Sequence, residues 1–333
     1  MSTAKLDGTT VVVTGAGGFI GSHLAERLVR EGASVRALVK YNAPGRRGWL
    51  DDSELANDME IVAGDITDAD CVSSLLRGAD TVLHLAALIG IPYSYTAPRS
   101  YIRVNVEGTL NVLQAARDHG VSRIIHTSTS EVYGSAQRVP ISEDHPLVAQ
   151  SPYAASKTSA DQLALSFHRS FETPVVTVRP FNTFGPRQSL RAVIPTIIAQ
   201  CLSAADRIEL GALDTTRDLN FVENTVDGFV RAAIAHDDVE GLTINLATGR
   251  EIAIGDLARL IADRCGSSAE IVSTAQRRRP GASEVDRLLG DATRATELLG
   301  WSPAVSLEEG IDRTIAWFRD HQARSGREAE YVV

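Results

Sequence analysis

The first half of the chain alternates between two rhythms of apolar and polar positions. Short apolar runs predict strands over Thr9–Thr14, Ser34–Val39, Glu60–Ala63, Thr81–Leu85, Arg123–Thr127 and Val175–Arg179. Between them, apolar residues recur on one helical face and predict helices over Gly21–Glu31, Asp70–Leu76, Tyr101–His119 and Tyr153–Phe171. Strands alternating with helices make βαβ units, whose strands lie parallel in a sheet covered on both faces. With right-handed crossovers, the simplest such α/β arrangement is a Rossmann-type doubly wound parallel sheet.

After Phe181 the rhythm changes. The loops Gly185–Ala192 and Gly211–Asn220 are longer and carry arginines, and Arg277-Arg278-Arg279-Pro280-Gly281 reads as a basic turn. A last helix is predicted from Leu307 to about His321, and the polar tail after Ala323 is expected to fray. The pattern divides the chain into a dinucleotide-binding domain over 1–180 and a smaller mixed α/β substrate-binding domain over 181–333. The two are expected to interleave, with later segments returning to the first sheet.

Composition narrows the function classes. At 333 residues and 44% hydrophobic, the chain has enough apolar material for two domains or one large one. No run approaches the ~20 apolar residues of a membrane helix. The opening residues are polar, so no leader segment is expected. Cys71, Cys201 and Cys265 are scattered and odd in number, which gives no disulfide framework and fits a cytoplasmic setting. No cluster has metal-ligand spacing, so no metal is expected. A net charge of −9 argues against a protein that grips nucleic acid by its phosphates.

Gly15, Gly18 and Gly21 follow the first strand and open the first helix. In that position the glycines allow a tight turn, close approach of a pyrophosphate, and close helix–strand packing. The phosphate then lies at the helix N-terminus, where free N–H groups and the macrodipole favour it. The second strand ends in Lys40, without the acid that commonly binds a ribose 2′-hydroxyl, and Arg46 and Arg47 follow. That combination leans towards NADP over NAD, against the plainer reading of solvated loop charges. Asp65-Ile66, after the third strand, is a candidate adenine contact.

Tyr153 and Lys157 stand four apart on one helical face. A nearby ammonium is expected to lower the phenol's pKa towards a range useful for proton transfer. The strand before them runs out into Thr127-Ser128-Thr129-Ser130-Glu131, at the sheet edge where open α/β folds place their chemistry. Thr129 can share a proton with a substrate hydroxyl, and Glu131 is a candidate base. His84 reads as a packed strand-end residue, while His126 and His145 carry no usable signal.

Here the sequence resembles the extended short-chain dehydrogenase/reductase family, the NAD(P)-dependent nucleotide-sugar epimerases and dehydratases. The resemblance runs through TGAGGFIGSHL, GDITD, HLAA at 84–87, NVEGTLNVLQAAR at 105–117, TSTSEVYG, SPYAASK, RPFNTFGPRQ, TRDLNFVENT, RRRPGASEVDR, LLGWSP and SLEEGI. It implies cofactor contacts at Phe19, Ile20, Leu85, Ala86, Ala87 and Asn105, besides Gly15, Gly18, Gly21, Tyr153 and Lys157. It also implies a nucleotide-diphosphate sugar held by Asn182, Arg187, Arg191, Arg217 and Arg278 or Arg279. Tyr93, with Tyr95 nearby, is a candidate for lining the sugar pocket. A homodimer is implied too, through a bundle of the helices near Tyr101–His119 and Tyr153–Phe171.

The reaction within the family turns on Thr129-Ser130-Glu131. Where dTDP-glucose 4,6-dehydratases show Thr-Asp-Glu, this chain has Ser130, as GDP-mannose 4,6-dehydratases and UDP-glucuronate decarboxylases do. Simple 4-epimerases usually lack the Glu. HLAALIGIPYSY and RPFNTFGPRQSLRAVIPTII look most like 4,6-dehydratases of N-acetylhexosamine nucleotides in legionaminate-type pathways. The expected reaction is therefore transient C4 oxidation through Tyr153, Thr129 and Lys157, C5 deprotonation by Glu131, loss of water from C6 with help from Glu131 or Ser130, and hydride return. UDP-glucuronate decarboxylation and epimerisation share the first step and stay open. A non-catalytic NAD(P) sensor is a third reading, disfavoured by the intact catalytic set.

Overall fold

The computed structural model describes residues 6–203, 205–274, 277 and 281–325. The chain runs β1 (Thr10–Thr14), α1 (Phe19–Arg30), β2 (Ser34–Lys40), β3 (Met59–Gly64), α2 (Ala69–Leu76) and β4 (Thr81–His84). Next come α3 (Ile91–Thr96), α4 (Pro98–Tyr101), α5 (Gly108–Asp118), β5 (Arg123–Thr127), α6 (Pro152–Phe171), β6 (Val175–Pro180) and β7 (Asn182–Phe184). The remainder is α7 (Val193–Leu202), β8 (Arg207–Leu210), β9 (Thr216–Phe221), α8 (Val222–Ile234), β10 (Thr243–Leu246), β11 (Glu251–Ala253) and α9 (Ile254–Cys265). It closes with β12 (Glu270–Ser273), β13 (Arg287–Leu288), α10 (Thr293–Leu299) and α11 (Leu307–Ser325).

Among the described residues, seven parallel strands form one sheet in the order β3-β2-β1-β4-β5-β6-β10. Val11, Val12 and Val13 are fully buried, as a strand covered on both faces requires. The order reverses at β1, so a crevice opens beyond the carboxyl ends of β1 and β4, where such sheets take their ligands. The seventh strand comes from Thr243–Leu246, far along the chain, and pairs with β6. β9 stands outside this sheet and gathers β7, β11 and β13 around it.

Two expectations are corrected. The helix expected over Tyr101–His119 is interrupted: α4 passes into a π-helical turn over Ile102–Glu107 before α5. Such turns often mark functional sites, and this one turns Asn105 inward. The Gly211–Asn220 segment is not all loop, because Thr216–Phe221 is a strand with all but its first residue buried. The scattered cysteines also meet in part. Cys201 and Cys265 are free thiols that hydrogen-bond to each other where α7 and α9 pack.

Candidate active site

The site begins at the turn between β1 and α1. Gly15 has φ +72, and a Cβ there would stand 2.8 Å from the Ala86 backbone nitrogen. A Cβ on Gly21 would lie 2.2 Å from the Gly15 carbonyl oxygen. Both positions are therefore closed to any other residue without backbone movement. Thr14 ties the neighbouring strand end in place: its hydroxyl accepts from the Leu85 and Ala86 N–H groups, each at 3.1 Å. Gly18 caps α1 with no side-chain hydrogen bond, and Phe19 and Ile20 begin it half-buried. The open N–H groups of a long helix at a glycine turn fit a dinucleotide pyrophosphate.

The other expected cofactor residues surround this turn. Leu85, Ala86 and Ala87 run half-buried out of β4. Lys40 ends β2, and its charge acts on Asp65, whose Oδ1 accepts from the Thr67 N–H and hydroxyl at 2.9 Å each. Ile66 is buried. Asn105 is engaged with protein groups: its side chain accepts from the Leu88 N–H at 2.8 Å and donates to the Leu88 carbonyl and the Ser156 hydroxyl. It thereby pins the segment after β4 against α6.

α6 carries the catalytic candidates because its start is fixed. The Ser151 hydroxyl accepts from the Ala154 N–H at 3.1 Å, and Pro152 occupies the first turn, a strong helix-start combination. The inward face then presents Tyr153, Lys157 and Asp161 at successive turns, all buried. Thr129 leads a 3-10 turn over Ser130–Tyr133; its hydroxyl accepts from the Glu131 N–H at 3.3 Å, and Ser130 is buried. The structure thus brings Thr129, Glu131, Tyr153 and Lys157 to one place.

Burial raises the Tyr153 phenol above its ordinary range, hydrogen bonding with Thr129 pulls it back, and the charges of Glu131 and Asp161 raise it further. The expected pull of Lys157 is not among the main influences. Burial lowers Lys157 itself to about 8, against the opposing charge of Asp161.

Beneath this pair runs a buried polar network that sequence reasoning missed. Asp161 accepts from His126 Nε2 at 3.0 Å, the Ser128 hydroxyl at 2.6 Å and Arg179 Nη2 at 2.9 Å. Despite burial, these partners hold its carboxyl at about 2. Arg179 also donates to the Tyr133 hydroxyl at 2.9 Å, which donates to Asn245 at 2.8 Å. The visible signal was an Asp four residues beyond Lys157 on a buried helical face. His84 is a packed strand-end residue: one ring nitrogen meets Thr14 and the other Thr109. His145 is likewise satisfied, by the Gln137 N–H and the Pro146 carbonyl.

The family model described as GDP-mannose 4,6 dehydratase matches residues 12–314. The chain belongs to the extended short-chain dehydrogenase/reductases, among their nucleotide-sugar dehydratases and epimerases. It is 36% identical to a UDP-glucose 4-epimerase of Mycolicibacterium smegmatis, over 93% of this chain and 98% of that one. It is also 36% identical to a dTDP-glucose 4,6-dehydratase of Streptomyces antibioticus, over 94% and 93% of the two chains. Among solved structures, DesIV, a dTDP-glucose 4,6-dehydratase from Streptomyces venezuelae with NAD and TYD bound, superposes with a TM-score of 0.85. That match has 29% identity and covers 95% of this chain and 98% of that one.

In this short-chain dehydrogenase/reductase, three aromatic rings form a row that ends at Tyr153. Tyr101 meets Tyr153 edge to face at 6.2 Å, and Tyr93, half-exposed, lies 6.2 Å from Tyr101. Tyr95 instead hydrogen-bonds Ser283. Asn182 opens β7, and its Nδ2 is buried without a hydrogen-bond partner among the described residues, a donor awaiting an acceptor.

The expected phosphate arginines divide. Arg187 is spent on Glu26 at 2.9 Å and Ser22 at 3.1 Å rather than held open for a phosphate. Arg217 is buried against Glu284 at 3.2 Å. Its neighbour Asp218 is a structural tie that accepts from Thr248, Gly249 and Gly290. Arg191 is exposed, and its charge acts on Tyr101. Arg278 and Arg279 lie outside the described residues.

Proposed function

We propose that this enzyme is a nucleotide-sugar 4,6-dehydratase acting on a UDP- or GDP-N-acetylhexosamine. Glu131 carries the reading, because the 3-10 turn led by Thr129 sets its carboxylate beside the Tyr153 phenol, near enough for its charge to raise it. Epimerisation needs no carboxylate there, whereas elimination of water needs a base for the C5 proton. Bound NAD(P)+ would supply the hydride acceptor and later donor, together with the positive charge that ionisation of Tyr153 calls for. Tyr153 takes the C4 hydroxyl proton, with Thr129 bridging that hydroxyl. Lys157 would hold the cofactor ribose. Oxidation at C4 acidifies C5, Glu131 removes that proton, and the C6 hydroxyl departs as water with a proton delivered by Glu131 or through Ser130, leaving a 4-keto-5,6-ene to which hydride would return at C6 and a proton, balancing the one taken up by Tyr153, at C5. The product is a 4-keto-6-deoxy sugar.

Lys40 at the end of β2, a strand that does not itself end in an acid, supports NADP as the cofactor. Asn182 and Arg191 are proposed to hold the sugar diphosphate, and α5 and α6 to form a homodimer interface, which light scattering would test. A second reading, UDP-glucuronate decarboxylation, is favoured by Arg191: its charge reaches the tyrosine row and suits a substrate carboxylate.

The test is product mass after incubation with UDP- and GDP-N-acetylglucosamine and with UDP-glucuronate. Loss of one water from an N-acetylhexosamine nucleotide supports the dehydratase. Loss of carbon dioxide from UDP-glucuronate would transfer the assignment to the second reading. An epimer of unchanged mass would overturn both.

A further inference from the structure

The chain has only three lysines, Lys5, Lys40 and Lys157, among 33 basic residues. Arginine keeps its proton even when buried, whereas a buried lysine readily loses it. Lys157 is only 4% exposed, so its surroundings decide whether it carries a charge. We propose that Asp161 is a positioning residue that holds Lys157 in its ammonium form.

The geometry supports this in three ways. Asp161 lies one helical turn beyond Lys157 on the same buried face, so its charge acts on the ammonium across one turn, without a direct ion pair, in surroundings that screen it little. It cannot turn away, because His126, Ser128 and Arg179 fix its carboxylate from β5, the segment after it and β6. The remaining ionisable groups around the pair do not replace it. His84 from β4 and His126 from β5 are kept neutral by burial. Arg179 from β6 is a cation. Tyr101 from α4 and Tyr153 are neutral phenols, both raised by burial. Glu131, on its 3-10 turn, acts on Tyr153, whereas the charge that raises Lys157 is that of Asp161.

A charged Lys157 makes stronger hydrogen bonds to ribose hydroxyls than a neutral amine does, and it offsets a developing phenolate. The inference rests on Tyr153 and Lys157 being the catalytic pair, but its test reads the lysine alone. Full-length protein carrying 13C at lysine Cε is titrated by NMR, with the Lys157 resonance identified by its absence from Lys157→Arg.

The unaltered protein is expected to titrate near 8. Asp161→Asn lowers that midpoint by about one pH unit or more. Arg179→Gln raises it, because Asp161 then has one fewer competing cation. Asp161→Glu restores it; a cavity of about 190 Å³ bordered by Asp161, Arg179 and Thr177 leaves room for the extra methylene.

A purely structural Asp161 would leave the lysine midpoint unmoved in Asp161→Asn, and that result overturns the proposal. Should Asp161→Asn fail to fold, an unmoved midpoint in Arg179→Gln overturns it equally. Full activity in Lys157→Met would sink the catalytic reading separately, without touching the titration result.

Discussion

Arg187 reaches from the loop after β7 to pair with Glu26 on α1 at 2.9 Å, joining the substrate loop to the helix that opens at the glycine turn. The two side chains are 17% and 8% exposed, so the pair is largely shielded. Arg30 approaches the other Glu26 oxygen at 3.6 Å but is 60% exposed and replaces little of the contact. Arg187→Ala should therefore cost about 2 kcal/mol in urea unfolding, below the ~3–5 kcal/mol of a fully buried broken pair. The double variant with Glu26→Gln should recover most of the loss. If Arg187→Ala instead keeps full stability and only raises KM, Arg187 leaves Glu26 for the substrate diphosphate.

The glycine turn offers a controlled comparison. Gly15 and Gly45 both have left-handed backbone, φ +72 and +68, so alanine strains either one. Only at Gly15 does the added Cβ meet backbone, whereas at Gly45 nothing lies within 4 Å. Gly15→Ala should abolish cofactor retention on purification, and Gly45→Ala should keep it at a cost of about 1 kcal/mol in stability. Equal cofactor content in the two variants would show that the turn does not carry the dinucleotide.

The buried histidines set an acid sensitivity. Burial, with smaller contributions from His126 and Lys157, holds His84 well below the usual imidazole range, and burial also lowers His126. The folded protein therefore refuses protons that the unfolded chain accepts near pH 6.5. Stability is fully present above that value and falls as pH drops below it, by up to ~1.4 kcal/mol per pH unit for each histidine. Because burial also lowers His23, to about 4, His84→Gln should remove about a third of this slope in unfolding measurements between about pH 6.5 and 5. An unchanged slope would place the sensitivity elsewhere.

The first half of the chain is legible because most of its elements keep one period. Its strands are short apolar runs, its helices amphipathic, and its glycines fall at a strand–helix junction. The later half hides its elements. α7 is apolar nearly throughout, so it shows no helical stripe. β9 reads as loop because Thr216, Arg217, Asp218 and Asn220 are polar, yet the latter three are buried on specific partners. The π-helical turn at Ile102–Glu107 leaves the apolar pattern intact while shifting the side chains, so a single long helix was expected. Within the site, Tyr153, Lys157, Thr129 and Glu131 could be found by spacing and resemblance. The Asp161–Arg179–Tyr133 network joins α6, β6 and the 3-10 turn, which only the fold brings together.

In the proposed reaction, Glu131 turns C4 oxidation into elimination. Its most direct test is Glu131→Gln, assayed with the nucleotide sugar that the unaltered enzyme dehydrates, following nicotinamide absorbance and product mass together. C4 oxidation is expected to survive in part, seen as reduced nicotinamide and a 4-keto sugar, while the product that has lost water disappears. Formation of the 6-deoxy product at a near wild-type rate would contradict that role for Glu131.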